Sequence, residues 1–147
     1  MRVFLDANIL IDIFDSNRIY SEYSKKAYEY LILNHTLFTS CDIVTTIYYI
    51  GSKIDKKRVL EDIRNINKTL TVIEFSNYEV EETCKLMLED DDFKDLEDTM
   101  QYILAKKLSC DLIISNDKDF VSKDIELLKS REFCEKYMKK DDNDTKL

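Results

Sequence analysis

Proline is absent from this chain and glycine occurs once, at Gly51. That poverty disfavours a sandwich or barrel of many tight turns, and favours long helices joined to strands by short polar links. Histidine also occurs once, at His35, and Cys41, Cys84, Cys110 and Cys134 stand at no metal-ligand spacing, which excludes a zinc site. No apolar run approaches the roughly 18 residues of a membrane span. No signal peptide is visible, because the chain enters an apolar strand directly. These absences predict a cytoplasmic protein with four reduced thiols, most of them buried as small hydrophobes. Net basic charge is missing too. A net charge of −8 counts against a passive nucleic-acid-binding module, which carries a basic surface. It counts less against a metal-dependent nuclease, because bound cations reverse the sign of the potential where a phosphate sits.

What is present fits one domain. The chain has 147 residues and 44% apolar content, enough for a real core and too much for disorder. Charge is uneven: Glu89 to Asp98 holds seven acids and one lysine, while Lys53, Lys56, Lys57 and Arg58 form a basic patch that reads as a solvated helix face. The expected domain is 1–138, followed by a polar tail over 139–147.

Strands are expected at Arg2–Leu5, Thr36–Ser40, Thr71–Phe75 and Asp111–Ser115. Helices are expected over Asn8–Phe14, Ser21–Leu33 with Ser21 as N-cap, Lys56–Ile66, Ser76–Glu89 with a Ser76/Glu79 capping box, Leu96–Leu108 and Ile125–Met138. Asp42–Ile50 carries strand-like composition, but Ile43, Ile47 and Ile50 fall at helical spacing, which favours helix. Strands separated by helices imply an α/β fold with a parallel sheet.

Two apolar runs end abruptly in acid. Val3-Phe4-Leu5 stops at Asp6, and Leu112-Ile113-Ile114 stops at Ser115-Asn116-Asp117. Active sites of open parallel sheets form outside the carboxyl ends of the strands. Asp6 and Asp117 are expected there, joined by Asp98 if its helix starts at the same edge. Such acids repel one another unless a cation neutralises them, and oxygen-only ligands suit Mg²⁺ or Mn²⁺. Each acid also has a local explanation: Asp6 turns the chain into a helix, Asp98 complements a helix dipole behind the N-cap Asp95, and Asp117 and Asp119 sit in a turn. The convergence carries the argument. Ser40 and Thr46 either line the site or pack, Asn116 is a turn residue able to orient a ligand, and Lys118 is a solvated turn lysine able to meet phosphate. Tyr48 and Tyr49 either stack on bases or pack in the core.

The segments Val3-Phe4-Leu5-Asp6-Ala7-Asn8-Ile9-Leu10-Ile11-Asp12, Leu96-Glu97-Asp98-Thr99-Met100-Gln101-Tyr102 and Ile113-Ile114-Ser115-Asn116-Asp117-Lys118-Asp119-Phe120 together resemble the PIN-domain family of ribonucleases, which includes VapC-type toxins of prokaryotic toxin–antitoxin pairs. The resemblance spans residues 1–125. It implies a three-layer α/β/α sandwich with a parallel sheet of four to five strands, and a Mg²⁺- or Mn²⁺-dependent endoribonuclease. It implies Asp6, Asp98 and Asp117 as catalytic, metal-binding acids, with Glu97 and Asp119 as further metal candidates. Asn8, Ser40, Thr46, Asn116 and Lys118 are candidate supporting or substrate residues. An RNA substrate, an antitoxin partner and a homodimer follow from the resemblance alone. One departure stands out: many members carry a glutamate where this chain has Thr46, a neutral and weaker ligand. Glu97 and Asp119 are the acids available to compensate. Two rival readings remain: a catalytically silent PIN-like binding or scaffold module, and a receiver-like domain phosphorylated on aspartate. The second lacks paired acids near the first strand.

Overall fold

A computed structural model describes residues 1–138. The expected polar tail at 139–147 lies outside the described residues. Five parallel strands form one sheet: β1 (Arg2–Leu5), β2 (Thr36–Ser40), β3 (Thr71–Ile73), β4 (Leu112–Ile114) and β5 (Glu126–Leu128), in spatial order β3-β2-β1-β4-β5. Helices connect them: α1 (Ala7–Phe14), α2 (Ser21–Asn34), α3 (Cys41–Thr69), α4 (Asn77–Glu89), α5 (Leu96–Lys107) and the short α6 (Ser130–Phe133), which runs into a π-helical turn at Cys134–Met138. The α/β class with a parallel sheet is as expected, and the five strands fall within the four to five that the resemblance implies. No helix among the described residues is long and apolar enough to cross a membrane.

The strand order explains where chemistry can happen. From β1 the chain steps outward through β2 to β3, then returns to place β4 on the other side of β1. That reversal opens a crevice between the carboxyl ends of β1 and β4, the usual ligand position in open parallel sheets. Register fixes it: Phe4 pairs with Phe38 on one side and with Ile113 on the other. The Asp6 N–H donates to the Ile114 carbonyl at 3.1 Å, so Asp6 and Ser115 leave the sheet side by side. The two central strands are continuous apolar runs, and Val3, Phe4, Leu5, Leu112, Ile113 and Ile114 are wholly buried, as strands covered on both faces must be.

Several local expectations are corrected. The segment 125–138 was expected to be one helix. Instead Glu126–Leu128 pairs with β4, aided by the Ser115 N–H donating to the Leu128 carbonyl at 3.0 Å, and helix begins only at Ser130. Ser21 does not cap α2; its hydroxyl donates to the Asp12 carbonyl at 2.6 Å. Ser76 makes no side-chain cap, and Glu79 is buried against Lys107, 2.6 Å away. Leu60 and Leu96, whose helical spacing from Ile63 and Met100 predicts an inward position, are instead 45% and 55% exposed. Of the four cysteines only Cys110 is buried.

Asp42–Ile50 is helical, and it continues as α3 through the expected Lys56–Ile66 helix after a kink. Asp55 takes extended dihedrals (φ −155°, ψ 101°) and its Oδ1 accepts the Arg58 N–H at 3.1 Å, capping the second segment. Gly51 lets the two segments meet: a Cβ there would lie 2.4 Å from Val59 Cγ2.

Candidate active site

Asp6 is fixed by its own neighbours. It is the N-cap of α1, and its Oδ1 accepts the Ala7 N–H at 2.6 Å. Its Oδ2 accepts the Ser115 hydroxyl at 2.6 Å and the Asn8 amide at 2.9 Å. Capping is therefore what holds the Asp6 carboxylate at the sheet edge. Burial raises its pKa most. The Ser115 hydroxyl, the Ala7 N–H and the Gln101 amide favour the charged form, and Asp117 opposes it.

Asp98 reaches the same place from α5. Asp95 caps that helix, accepting the Asp98 N–H at 2.9 Å, as the sequence suggested. The half-buried Asp98 carboxyl is pushed up to about 8, first by burial, then by Asp6, Asp95 and Asp117. Influence from positions 6 and 117 on a group at 98 means that the fold has brought the three acids into one field. Glu97 is raised as well, by burial and then by Asp42, Asp6 and Asp95. Among the described residues, however, no three acidic, histidine or cysteine side chains are gathered closely enough to hold an ion as they stand.

Asp117 donates its N–H to Ser115 Oγ at 3.1 Å, and its Oδ1 accepts the Asp119 N–H at 2.9 Å. This is the local turn chemistry expected of such a segment. Asp98, Asp117 and Asp119 line a cleft of about 700 Å³ together with Lys94 and Lys118. Carboxylates and lysines thus line one cleft. The donor set is all oxygen and rich in carboxylate, which suits a hard divalent cation.

The supporting residues divide. Asn8 bridges Asp6 and the Asn116 N–H, which donates to Asn8 Oδ1 at 2.9 Å. Asn116 is a strut: its Nδ2 donates to Asp12 at 2.8 Å, and its Oδ1 accepts the Ser130 N–H and hydroxyl at 2.9 and 3.1 Å. Ser40 is fully buried and donates to Asp42. Thr46 is half-buried and turned back on its own helix, donating to the Asp42 carbonyl at 3.4 Å. Tyr48 is half-buried against the core, whereas Tyr49 is exposed beneath Lys53.

Three residues of the site went unrecognised in the sequence. Asp12 is 2% exposed and accepts from Arg18 Nε at 2.6 Å, Ser24 Oγ at 2.8 Å and Asn116 Nδ2. A lone acid within the apolar run Ile9–Phe14 was the available signal. Asp42 lies one turn before Thr46 and acts on Glu97. Gln101 shares the interior face of α5 with core residues. Asp12 ties α1, α2 and the 115–117 loop together. Asp12→Ala is expected to cost about 3 kcal/mol, since it leaves Ser24 and Asn116 donors unpaired. Urea unfolding would read this as a lower midpoint at unchanged slope.

Comparisons place this arrangement among known proteins. Ribonuclease VapC1 of Aquifex aeolicus (strain VF5) is 51% identical over 137 residues, covering 92% of this chain and 95% of that protein. Among solved structures, Mycobacterium tuberculosis VapC20, described as a sarcin–ricin loop cleaving toxin, matches with a TM-score of 0.69 at 12% identity, over 80% of this chain and 92% of that one. Rickettsia felis VapBC2, solved with a DNA fragment from its promoter, matches with a TM-score of 0.68 at 17% identity, over 88% and 98%. The PIN domain family model matches residues 3–126; this chain belongs to the PIN-domain family.

Proposed function

We propose that this protein is a Mg²⁺- or Mn²⁺-dependent endoribonuclease that hydrolyses RNA phosphodiester bonds and serves as the toxin of a toxin–antitoxin pair. The reading rests above all on geometry: Asp98 and Asp117 line one cleft, and the Ser115 hydroxyl that accepts the Asp117 N–H donates to Asp6, so acids from three elements stand together. The 51% identity to Ribonuclease VapC1 supports the same chemistry. Asp6, Asp98 and Asp117 are the residues that would hold the ion, with Glu97 and Asp119 adding negative charge at its margins. When bound, such an ion lowers the pKa of water and offsets charge on the phosphate.

The chain's own groups do the rest. Ser115, Asn8 and the Ala7 N–H fix the orientation of Asp6. Lys94 and Lys118 line the cleft where the RNA backbone would lie and attract its phosphates. Thr46 supplies no carboxylate, and Asp42, one turn earlier on α3, brings a negative charge beside Glu97 instead. An antitoxin and a second copy of the chain are the proposed protein partners; the fold relatives include the VapBC2 pair of Rickettsia felis and a toxin–antitoxin complex from Klebsiella pneumoniae.

The test is direct. Purified protein is incubated with structured and unstructured RNA in Mn²⁺, in Mg²⁺ and in EDTA. Endonucleolytic products in metal and none in EDTA are expected. Intact RNA in every condition, from protein that binds the metal, would instead favour the silent binding module.

A further inference from the structure

Gln101 stands three residues after Asp98 on α5, on the same side of the helix and one turn deeper. Its exposure is 0%, yet neither Nε2 nor Oε1 has a hydrogen-bond partner. Glu79 Oε2 is the other orphaned buried side-chain atom among the described residues, and its partner oxygen is satisfied by Lys107. Gln101 alone has its whole polar head unpaired. A carboxamide offers two N–H donors and two acceptor sites. Folded proteins rarely leave such a group bare in the interior, and where they do, a water, an ion or a functional role accounts for it.

The neighbours of the amide narrow the choice. The Gln101 amide acts on the Asp6 carboxylate, favouring its charged form, while remaining outside hydrogen-bond geometry. Gln101 therefore lies against Asp6 and follows Asp98 by one helical turn. Both neighbours belong to the acid cluster. A divalent cation of the Mg²⁺ type keeps several waters when proteins bind it, and these waters are strong hydrogen-bond donors that need acceptors. Carboxylates committed to the ion cannot satisfy all of them.

We propose that Gln101 is a positioning residue of the cation site: its carbonyl oxygen accepts a hydrogen bond from the hydration shell of the divalent ion, and its amide N–H steadies Asp6. The orphaned amide is then a receptor prepared for a hydrated ion. This inference rests on the reading that the acid cluster binds a divalent cation. Outer-shell partners of this kind are worth about 10–100-fold in metal affinity.

The experiment titrates Mn²⁺ into wild type, Gln101→Met and Gln101→Glu, following free Mn²⁺ by electron paramagnetic resonance and melting each protein without metal. Methionine matches the side chain in length and removes only the unpaired polar head. Gln101→Met is therefore expected to melt at or above wild type without metal and to bind Mn²⁺ about 10–100-fold more weakly. A plain filler of the core gives the first result and not the second. Gln101→Glu is expected to bind Mn²⁺ more tightly than wild type and to melt lower without it, and it decides the matter should the methionine variant fail to fold. Wild-type affinity in the folded methionine variant, or in the glutamate variant, overturns this inference alone. A wild type that binds no Mn²⁺ overturns the cation reading and this inference with it.

Discussion

Asp6→Asn is expected to abolish metal-dependent RNA cleavage while raising the melting temperature of the metal-free protein. The two effects have one cause. Asp6 is held in the interior by the Ala7 N–H, the Ser115 hydroxyl and the Asn8 amide, and burial together with Asp117 disfavours its charge. Asparagine keeps the geometry: it is as good an N-cap, its Oδ1 can still accept the Ala7 N–H, and its Nδ2 can meet Ser115 Oγ. The Asn8 amide, which loses its acceptor on Asp6, is only half-buried and within reach of water. What disappears is a negative charge among negative charges. Losing one preorganised donor to a transition state costs about 10²–10³-fold in kcat. Losing a charged ligand to the ion itself is expected to cost at least ~10³-fold. A gain of about 2–4 °C corresponds to ~1 kcal/mol for a domain of this size. Strains stored at functional sites commonly trade stability for activity in this way. Undiminished cleavage by Asp6→Asn would remove Asp6 from the machinery. Cleavage lost together with a lower melting temperature would mean that Asp6 acts through the fold.

Much of this was legible in the sequence, for reasons tied to particular residues. The acids at 6 and 117 were readable because each ends a run of apolar residues too short to be anything but a buried strand. Parallel strands put their carboxyl ends on one edge. Asp98 was readable because Asp95 announces the start of its helix. β5 was not readable: Glu126-Leu127-Leu128 is a three-residue edge strand, half-buried throughout, and its apolar pair fits a helix as well as a strand. Only pairing with β4 decides it. Glu79 shows the same limit. Its position three residues after Ser76 matches a capping box, but a lysine 28 residues away on α5 offers a stronger partner. Asp12, Asp42 and Gln101 escaped because their meaning is tertiary. Each sits among core-facing or helix-starting residues where a polar side chain has many local excuses, and each matters through a group that only the folded chain brings near.

The acid cluster also sets how stability and metal affinity respond to pH. Asp98 titrates near its ordinary 3.8 in the unfolded chain and at about 8 in the folded one. Between those values the folded protein keeps a proton that the unfolded chain has released. The native state binds more protons, so metal-free stability falls as pH rises from about 4 to about 8, then levels off. Asp6 and Glu97 are shifted in the same direction and deepen the fall. A divalent cation competes with that proton, since a carboxylate must be deprotonated to bind it. Mn²⁺ binding is therefore expected to tighten with rising pH, by at most about tenfold per pH unit for each proton displaced, and to flatten above about pH 8. The thermal shift produced by a fixed Mn²⁺ concentration should grow over the same interval, because a ligand bound only by the native state stabilises by RT ln(1 + L/Kd), where L is its free concentration, and this rises as Kd falls. Calorimetric titration of Mn²⁺ between about pH 6 and 8.5, in two buffers of different ionisation enthalpy, measures both the affinity and the protons released. Asp98→Asn should bind more weakly and lose most of the pH slope. An affinity that is level across this range in the wild type would show that the proton on Asp98 and the cation do not compete for one place.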